Sequence, residues 1–362
     1  MQSVYCTMKK QYQSAIYNWL MIGCLMVTCM VVVGGITRLT QSGLSMVKWE
    51  PIKGAIPPLT EEAWQEEFRA YQSSPEYEVY NTHFGLSEFK QIYFWEYFHR
   101  LLGRIVGLVF LFPCIYFWAK GAFTSRLKKQ VVIIFLGGLF QGVLGWYMVM
   151  SGLVDLPYVS HYRLAAHLIT ALALIAYIFW VALEVRGTRV NQGKLLHQLS
   201  IGMLVLVGVQ ILYGAFVAGL KAGLLYNTFP KMGYQWIPEE LGIAFQMNGW
   251  MAIIESHGVV QLIHRVLGVA VLVMVSIIWV KTRKSTASIF IAGNVLMALV
   301  IVQFLLGVFT LIYAVPITLG VIHQLGAVMV LFSIIYLLYI TRPHNENSIK
   351  IEGRAKKKES LI

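Results

Sequence analysis

The sequence has little charge and few cysteines. Only 13% of its 362 residues are Asp, Glu, Lys or Arg, whereas 57% are apolar, and the apolar residues lie in long blocks. This pattern excludes a soluble globular domain and a disordered chain. The four cysteines form no C-x-x-C or C-x-x-C-H motif, which argues against a zinc site, a disulfide framework and covalent attachment of haem.

The apolar blocks are long enough to cross a membrane. A hydrocarbon core of about 30 Å requires about 20 apolar residues in a helix. Eight segments meet this length, near residues 17–37, 95–118, 129–150, 162–183, 198–219, 258–280, 288–313 and 316–340. We therefore predict an all-α integral membrane protein with eight transmembrane helices.

The basic residues gather on one side of this predicted topology. The formal net charge is +12, and 18 of the 29 Lys and Arg residues lie in the two tails and in the loops that follow even-numbered spans. The long loop between the first two spans, on the opposite side, is acidic. The positive-inside rule then predicts that both termini are cytoplasmic. The excess of basic residues is therefore explained by the orientation of the chain in the membrane. We expect membrane lipid rather than nucleic acid as a partner.

The chain also repeats itself. Residues 96–103 (EYFHRLLG) resemble 261–268 (QLIHRVLG), residues 34–43 resemble 214–223, and the Q-x-x-x-G segment 141–145 resembles 303–307. The offsets of 165, 180 and 162 residues place the repeated segments in corresponding spans. We predict two pseudo-symmetric four-helix bundles, residues 1–190 and 191–341, followed by a polar cytoplasmic tail, residues 342–362.

Four histidines lie near the outer ends of the even-numbered spans: His99, His167, His264 and His323. The repeat pairs them as one pair in each half. Two imidazoles that face each other across a bundle hold the iron of a b-type haem, with glycines such as Gly103, Gly107, Gly268 and Gly326 making room for the macrocycle. Hydrogen-bonded packing histidines and a metal other than haem iron are the alternatives, and His257 has no assigned role.

Two arginines and one glutamate accompany these histidines. Arg100 and Arg265 directly follow His99 and His264, and are candidate contacts for the anionic haem propionates, with snorkelling to lipid headgroups as the alternative. Glu96 precedes His99 by three residues, whereas the second half has Gln261 at that position. A carboxylate beside a haem can move protons or stabilise positive charge. We therefore expect chemistry in the first half, unless Glu96 only pairs with Arg100.

The long outer loop contains one further predicted element. A Glu-rich amphipathic stretch runs from Thr60 to about Gln72, and Thr60 is a suitable residue to begin a helix. We expect this loop to cover a pocket that faces outward. Residues 221–232 are expected to cover the second half in the same way.

Three segments resemble haem A synthases. Residues 34–51 read GGITRLTQSGLSMVKWEP, residues 96–100 read EYFHR, and residues 218–232 read AGLKAGLLYNTFPKM. The similarity extends from the first span to the last. The outer loop has no cysteine pair, so the sequence is most similar to the mitochondrial and alphaproteobacterial type of this family.

The resemblance implies an oxidoreductase of the bacterial inner membrane that oxidises a methyl group of haem O to the formyl group of haem A by successive hydroxylation. It implies that His99 and His167 are axial ligands of the substrate haem, that Glu96 is catalytic, and that His264 and His323 ligate a haem b cofactor that supplies electrons. Haem O synthase and cytochrome oxidase assembly factors are the implied partners.

The residues alone leave two other functions open. The first is a diheme b-type electron carrier linked to quinone or a similar donor, and the second is a haem carrier without turnover. Neither alternative requires Glu96 to differ from Gln261.

Overall fold

The computed structural model describes residues 10–48, 53–154, 157–187 and 194–343. This part of the chain forms eleven α-helices and no β-strand. In chain order they are α1 (Lys10–Leu39), α2 (Glu61–Gln72), α3 (Leu86–Ala119), α4 (Ser125–Met150), α5 (His161–Arg186), α6 (Lys194–Gly219), α7 (Glu239–Asn248), α8 (Ala252–Glu255), α9 (His257–Thr282), α10 (Ala287–Ile312) and α11 (Ile317–Ile340). Short 3-10 helices lie at Lys53–Ala55, Ala222–Leu224 and Gly249–Met251, and a π-helix at Tyr77–Asn81.

Eight of these helices are long and apolar enough to cross a membrane. They are α1, α3, α4, α5, α6, α9, α10 and α11, with a mean hydropathy of 1.8 to 2.8 over the most apolar stretch of each. The prediction of an all-α, multi-pass membrane protein is confirmed. The main difference from the predicted boundaries is α3, which begins at Leu86 rather than near residue 95. Its first turns lie beyond the apolar segment and pack against the outer loop.

The spanning helices contact each other in a repeated order. In the first four, α1 contacts α3 and α5, and α4 also contacts α3 and α5. In the last four, α6 contacts α9 and α11, and α10 also contacts α9 and α11. Because α1 corresponds to α6, α3 to α9, α4 to α10 and α5 to α11, the two sets have the same neighbours. Contacts of α5 with α6, and of α11 with α1 and α5, join the sets.

The apolar core lies where the two sets meet. Ile175 and Ile178 of α5, Met203 of α6 and Ile334 of α11 are buried in one cluster with residues of α1. Large apolar residues on the outer faces, by contrast, are exposed, for example Phe112 of α3. A lipid-facing surface requires this composition, because hydrocarbon solvates apolar side chains and cannot satisfy polar ones.

The outer loop forms a small aromatic cluster above α3. As predicted, α2 begins after Thr60, whose side-chain Oγ1 accepts a hydrogen bond from the Ala63 backbone N–H at 3.2 Å. Phe68 and Tyr71 of α2 pack against Phe89 and Tyr93 of α3. This packing explains why α3 continues beyond the membrane span. Residues 49–52, which include part of the motif in residues 34–51, lie outside the described residues.

Candidate functional site

The four predicted histidines lie on four different helices and come together in two pairs. His99 of α3 and His167 of α5 are close enough to interact electrostatically, and so are His264 of α9 and His323 of α11. Each imidazole is partly buried. Because α3, α5, α9 and α11 correspond in the two sets of helices, both pairs occupy equivalent positions.

Each of these imidazoles lies against a glycine of a neighbouring helix. A Cβ atom added to the glycine would lie within 3.4 Å of an imidazole atom in every case: 3.2 Å for Gly34 and His99, 3.3 Å for Gly145 and His167, 3.1 Å for Gly214 and His264, and 2.9 Å for Gly307 and His323. Such distances are shorter than ordinary van der Waals contacts. The glycines therefore let each ring approach the backbone of the next helix.

These contact glycines differ from the glycines that we predicted to make room for a macrocycle. Gly103 lies near Met30, and an added Cβ at Gly107 meets nothing within 4 Å. The repeat relates the contact glycines to each other, because Gly34 aligns with Gly214, and Gly145 aligns with Gly307.

Two equivalent glutamines lie behind the second histidine of each pair. The Gln141 amide nitrogen lies 3.0 Å from Nδ1 of His167, with the amide oriented so that its oxygen accepts from Ala171 N–H. The Gln303 Nε2 donates to the backbone carbonyl of His323 at 2.8 Å. Nδ1 of His323 and Oε1 of Gln303 are buried without a hydrogen-bond partner. Both glutamines therefore restrict the position of a histidine.

The histidine pairs suit a haem iron. In the described residues no three His, Cys, Asp or Glu side chains come together, so each pair offers two nitrogen ligands. A macrocycle supplies four further ligands to iron, and two imidazoles complete an octahedral set. A side chain larger than glycine at any of the four contact positions would crowd the imidazole. The residues present fit one bis-histidine haem in each half.

Glu96 lies in a buried network that holds the segment after α1. Its side chain is 3% exposed, and Oε2 accepts hydrogen bonds from Ser45 Oγ at 2.7 Å and from the Met46 N–H at 2.8 Å. Nη2 of Arg100 donates to Oε1 at 2.6 Å and to the Met46 carbonyl at 3.1 Å. Glu96 pairs with Arg100, as the alternative interpretation anticipated, and the two side chains also hold residues 45 and 46.

Gln261 and Arg265 do the same for the segment after α6. The Gln261 Nε2 donates to the carbonyls of Ala222 at 3.0 Å and Tyr226 at 3.3 Å. Arg265 donates from Nη2 to the Tyr226 carbonyl at 2.8 Å and from Nη1 to the Thr228 carbonyl at 2.9 Å. Nε of Arg265 is buried and has no hydrogen-bond partner. In both halves, the arginine proposed to contact a propionate also fixes a loop.

A second buried glutamate lies in the outer loop, beyond the membrane-spanning segment. Glu76 is 6% exposed and accepts a hydrogen bond from the Tyr71 hydroxyl at 3.2 Å. Burial raises the pKa of Glu76 to about 7, and the negative charge of Glu96 adds to this effect while Lys221 opposes it. The sequence analysis missed Glu76, because it is one of many glutamates in an acidic loop.

The remaining histidines have other surroundings. His161 and His257 begin α5 and α9, and His161 lies 3.8 Å from a carboxylate oxygen of Glu255. His344 and the rest of the predicted tail from residue 344 lie outside the described residues.

Comparison with known proteins identifies the family. A model of the cytochrome oxidase assembly protein family COX15-CtaA matches residues 17–335. The chain belongs to the COX15-CtaA family. Proteins named heme A synthase are similar over most of this length. The relative from Flavobacterium johnsoniae is 45% identical over 339 residues, which cover 92% of this chain and 99% of that protein.

Other members of the COX15-CtaA family give the same result. The heme A synthase of Nitrosospira multiformis is 45% identical over 88% of this chain and 90% of its own length. That of Maricaulis maris is 43% identical over 91% of this chain and 96% of its own length. The family resemblance inferred from the motifs is therefore confirmed.

Proposed function

We propose that this protein is a haem A synthase, which oxidises a methyl group of haem O to the formyl group of haem A by successive hydroxylation. Membership of the COX15-CtaA family and relatives with this name support the activity. The bacterial inner membrane, with both termini cytoplasmic, is the proposed location, supported by the eight apolar helices and by the distribution of Lys and Arg. Haem O synthase and cytochrome oxidase assembly factors are the proposed partners.

Each half of the chain holds one haem in this proposal. Residues 1–190 form the substrate half, in which His99 and His167 are the axial ligands of haem O. Residues 191–341 form the cofactor half, in which His264 and His323 ligate haem b, and residues 342–362 form the cytoplasmic tail. The repeated helix contacts and the repeated pairing of imidazoles with glycines support this division.

The proposal rests on one difference between the halves: Glu96 of the first half corresponds to Gln261 in the second half. Both side chains are buried, both lie four residues before an arginine, and both hold a loop segment. Since Gln261 holds its loop without a charge, holding a loop does not require the carboxylate of Glu96. The negative charge in the substrate half is therefore available for chemistry. A diheme electron carrier, the alternative function, has no need for this difference.

The residues of the substrate half have separate tasks. Haem b, when bound, supplies single electrons, and this is the only chemistry that the proposal assigns to it. The two imidazoles and the contact glycines orient haem O. The hydroxyl of Ser45, the N–H of Met46 and the guanidinium of Arg100 hold the Glu96 carboxylate in place, so it is preorganised. Its fixed negative charge stabilises positive charge that develops at the substrate.

Pigment analysis tests this function. The full chain is produced together with a haem O synthase, purified, and its haems are extracted and separated. We expect haem with a hydroxymethyl or formyl group in the wild type. We expect haem O to accumulate in Glu96→Gln, with a loss of product formation of roughly 100-fold or more.

The matched control is Glu78→Gln, which makes the same chemical change at an exposed position of the outer loop. It should form haem A as the wild type does. Haem A at the normal rate in Glu96→Gln would contradict the role of Glu96. A wild type that binds haem without ever modifying it would identify a carrier instead.

A further inference from the structure

An apolar groove lies on the side of the molecule where the two sets of helices meet. It has a volume of about 370 Å³, with α5 at its base and α4 and α6 at its sides. Its lining includes Phe140, Leu144, Ala166, Ile169 and Phe216. Phe140 is 53% exposed, so the groove opens toward the lipid. A molecule dissolved in the membrane can therefore enter it without crossing the aqueous phase.

Tyr162 at one end of the groove connects the lining to two further titratable side chains, Glu255 and His161, which are not part of the lining. Tyr162 lines the groove, and its hydroxyl donates a hydrogen bond to Oε1 of Glu255. Nε2 of His161 lies 3.8 Å from Oε2 of the same carboxylate, and it is buried without a hydrogen-bond partner. The rings of His161 and Tyr162 both pack edge-on against Phe216. A carboxylate, an imidazole and a phenol thus meet at the outer end of an apolar channel.

The helices that line the groove also carry residues of both histidine sites. Ala166 is next to His167 in the chain, and Leu144 is next to Gly145, the glycine that contacts His167. On the other side, Phe216 lies two residues from Gly214, the glycine that contacts His264. The helices that line the groove therefore also contribute residues to both of the proposed haem sites.

We propose that this groove binds an isoprenoid quinol, which is the reductant of the reaction. This inference rests on the proposed function with molecular oxygen as the oxidant, because insertion of one oxygen atom into a C–H bond then requires two electrons and two protons to reduce the other oxygen atom to water. A quinol has an aromatic ring with two hydroxyl groups and a long apolar tail, and it matches a lipid-open groove that ends in proton acceptors. A phospholipid acyl chain fits the groove but makes no use of Glu255 and His161.

The proposed step balances in protons and electrons. Oxidation of the quinol to the quinone breaks two O–H bonds, and the Glu255 carboxylate and the His161 imidazole accept the two protons. The two electrons pass singly to ferric haem, so that two ferric ions become ferrous for each quinol oxidised. Glu255 is partly exposed, with 41% of its side chain accessible, and it can return its proton to the outer aqueous phase.

Anaerobic rapid mixing tests the proposal. The purified protein with its haems bound is mixed with a short-tailed quinol, and haem reduction is followed by absorbance. We expect the rate of reduction to fall at least tenfold in Glu255→Gln, which removes a proton acceptor, and in Ile169→Trp, which fills the groove. The total reduction by dithionite and the haem content should equal those of the wild type. Glu240→Gln, an exposed change on α7, is the matched control and should not alter the rate.

Photochemical labelling gives a second measurement. An azidoquinone should label the peptide that begins α5, and excess quinol should prevent the labelling. Equal rates of reduction by quinol in the wild type and both variants would overturn the proposal, and so would labelling that only phospholipid prevents. A wild type that dithionite reduces and quinol does not would also overturn it. If that protein still forms haem A with an artificial reductant, the proposed function survives the loss of this inference.

Discussion

The two halves of the molecule hold equivalent loops with different chemistry. In the first half, the Glu96 carboxylate receives donors from the loop and from Arg100. In the second half, Gln261 instead donates to loop carbonyls, and Arg265 donates to the same segment. The amide of Gln261 is sufficient to hold the loop of the second half. The carboxylate of Glu96 therefore contributes something further in the first half, which is its negative charge.

The outer coverings of the two halves also differ. In the first half, Tyr71 and Phe89 are fully buried in the aromatic cluster between α2 and α3. In the second half, Met232 and Leu241 of the corresponding loop are buried with Val259 of α9 in a smaller cluster, and Trp250 at 85% and Met247 at 78% exposure remain outside it. The cover therefore consists of aromatic rings in the first half and mainly of aliphatic side chains in the second.

Substitution of single histidines should produce the largest difference in haem content between variants of the two halves. We expect His264→Ala to lose haem b and with it all haem A formation, because one imidazole cannot hold the iron as a pair does. His99→Ala should keep haem b and lose the ability to hold haem O. Haem content by the pyridine haemochrome spectrum, measured beside product formation, distinguishes the two results. Retention of haem b in His264→Ala would show that His264 does not ligate haem b, and the assignment of the cofactor to the second half would be wrong.

Exchange of the two anchoring residues is the next test. Glu96→Gln should abolish most product formation by removing the negative charge. Gln261→Glu should instead loosen the loop of the second half, because a carboxylate there cannot donate to the carbonyls of Ala222 and Tyr226. The double variant, which exchanges the residues, should behave as Glu96→Gln alone does. If Gln261→Glu restored product formation in the double variant, the charge would not act at a fixed place, and the assignment of halves would be wrong.

Glycine substitutions should have a moderate effect. In Gly145→Ala, the new methyl group would lie 3.3 Å from Cε1 of His167 and displace the ring. We expect a several-fold loss of bound haem O and a shifted absorbance band. The matched control is Gly142→Ala on the same helix, where an added Cβ meets nothing within 4 Å. Equal haem binding in the two variants would show that the ring tolerates the methyl group.

The smallest effect should concern stability rather than turnover. The pKa of Glu76 rises from its ordinary value of 4.5 to about 7 on folding, so the folded state binds its proton more tightly than the unfolded state. Stability should therefore fall as the pH rises from about 4.5 to about 7. Glu76→Gln should remove this dependence and stabilise the protein at pH 8 by on the order of 1–3 kcal/mol.

Thermal unfolding in detergent at pH 5 and pH 8 measures this difference. Glu78→Gln, at an exposed position near Glu76, provides the control. Identical pH dependence of Glu76→Gln and the wild type would contradict the altered pKa.

Much of the architecture followed from local patterns. The eight apolar blocks predicted the spanning helices, since the length of an apolar run is a property of consecutive residues. Thr60 predicted the start of α2 for the same reason, because a helix cap involves residues three positions apart. The internal repeat predicted which histidines correspond to each other. The boundary of α3 was less accurate, because contacts with the outer loop extend that helix.

The sequence by itself determined the number of candidate spans, the family and which histidines of the two halves correspond. Only the tertiary structure decided that glycines of other helices contact those histidines, and that Glu96 binds Ser45, 51 residues earlier in the chain. It alone brought Tyr162 of α5 to Glu255, 93 residues later. The physical reason is that helix formation depends on neighbouring residues, whereas these contacts depend on how the connecting loops bring distant helices together.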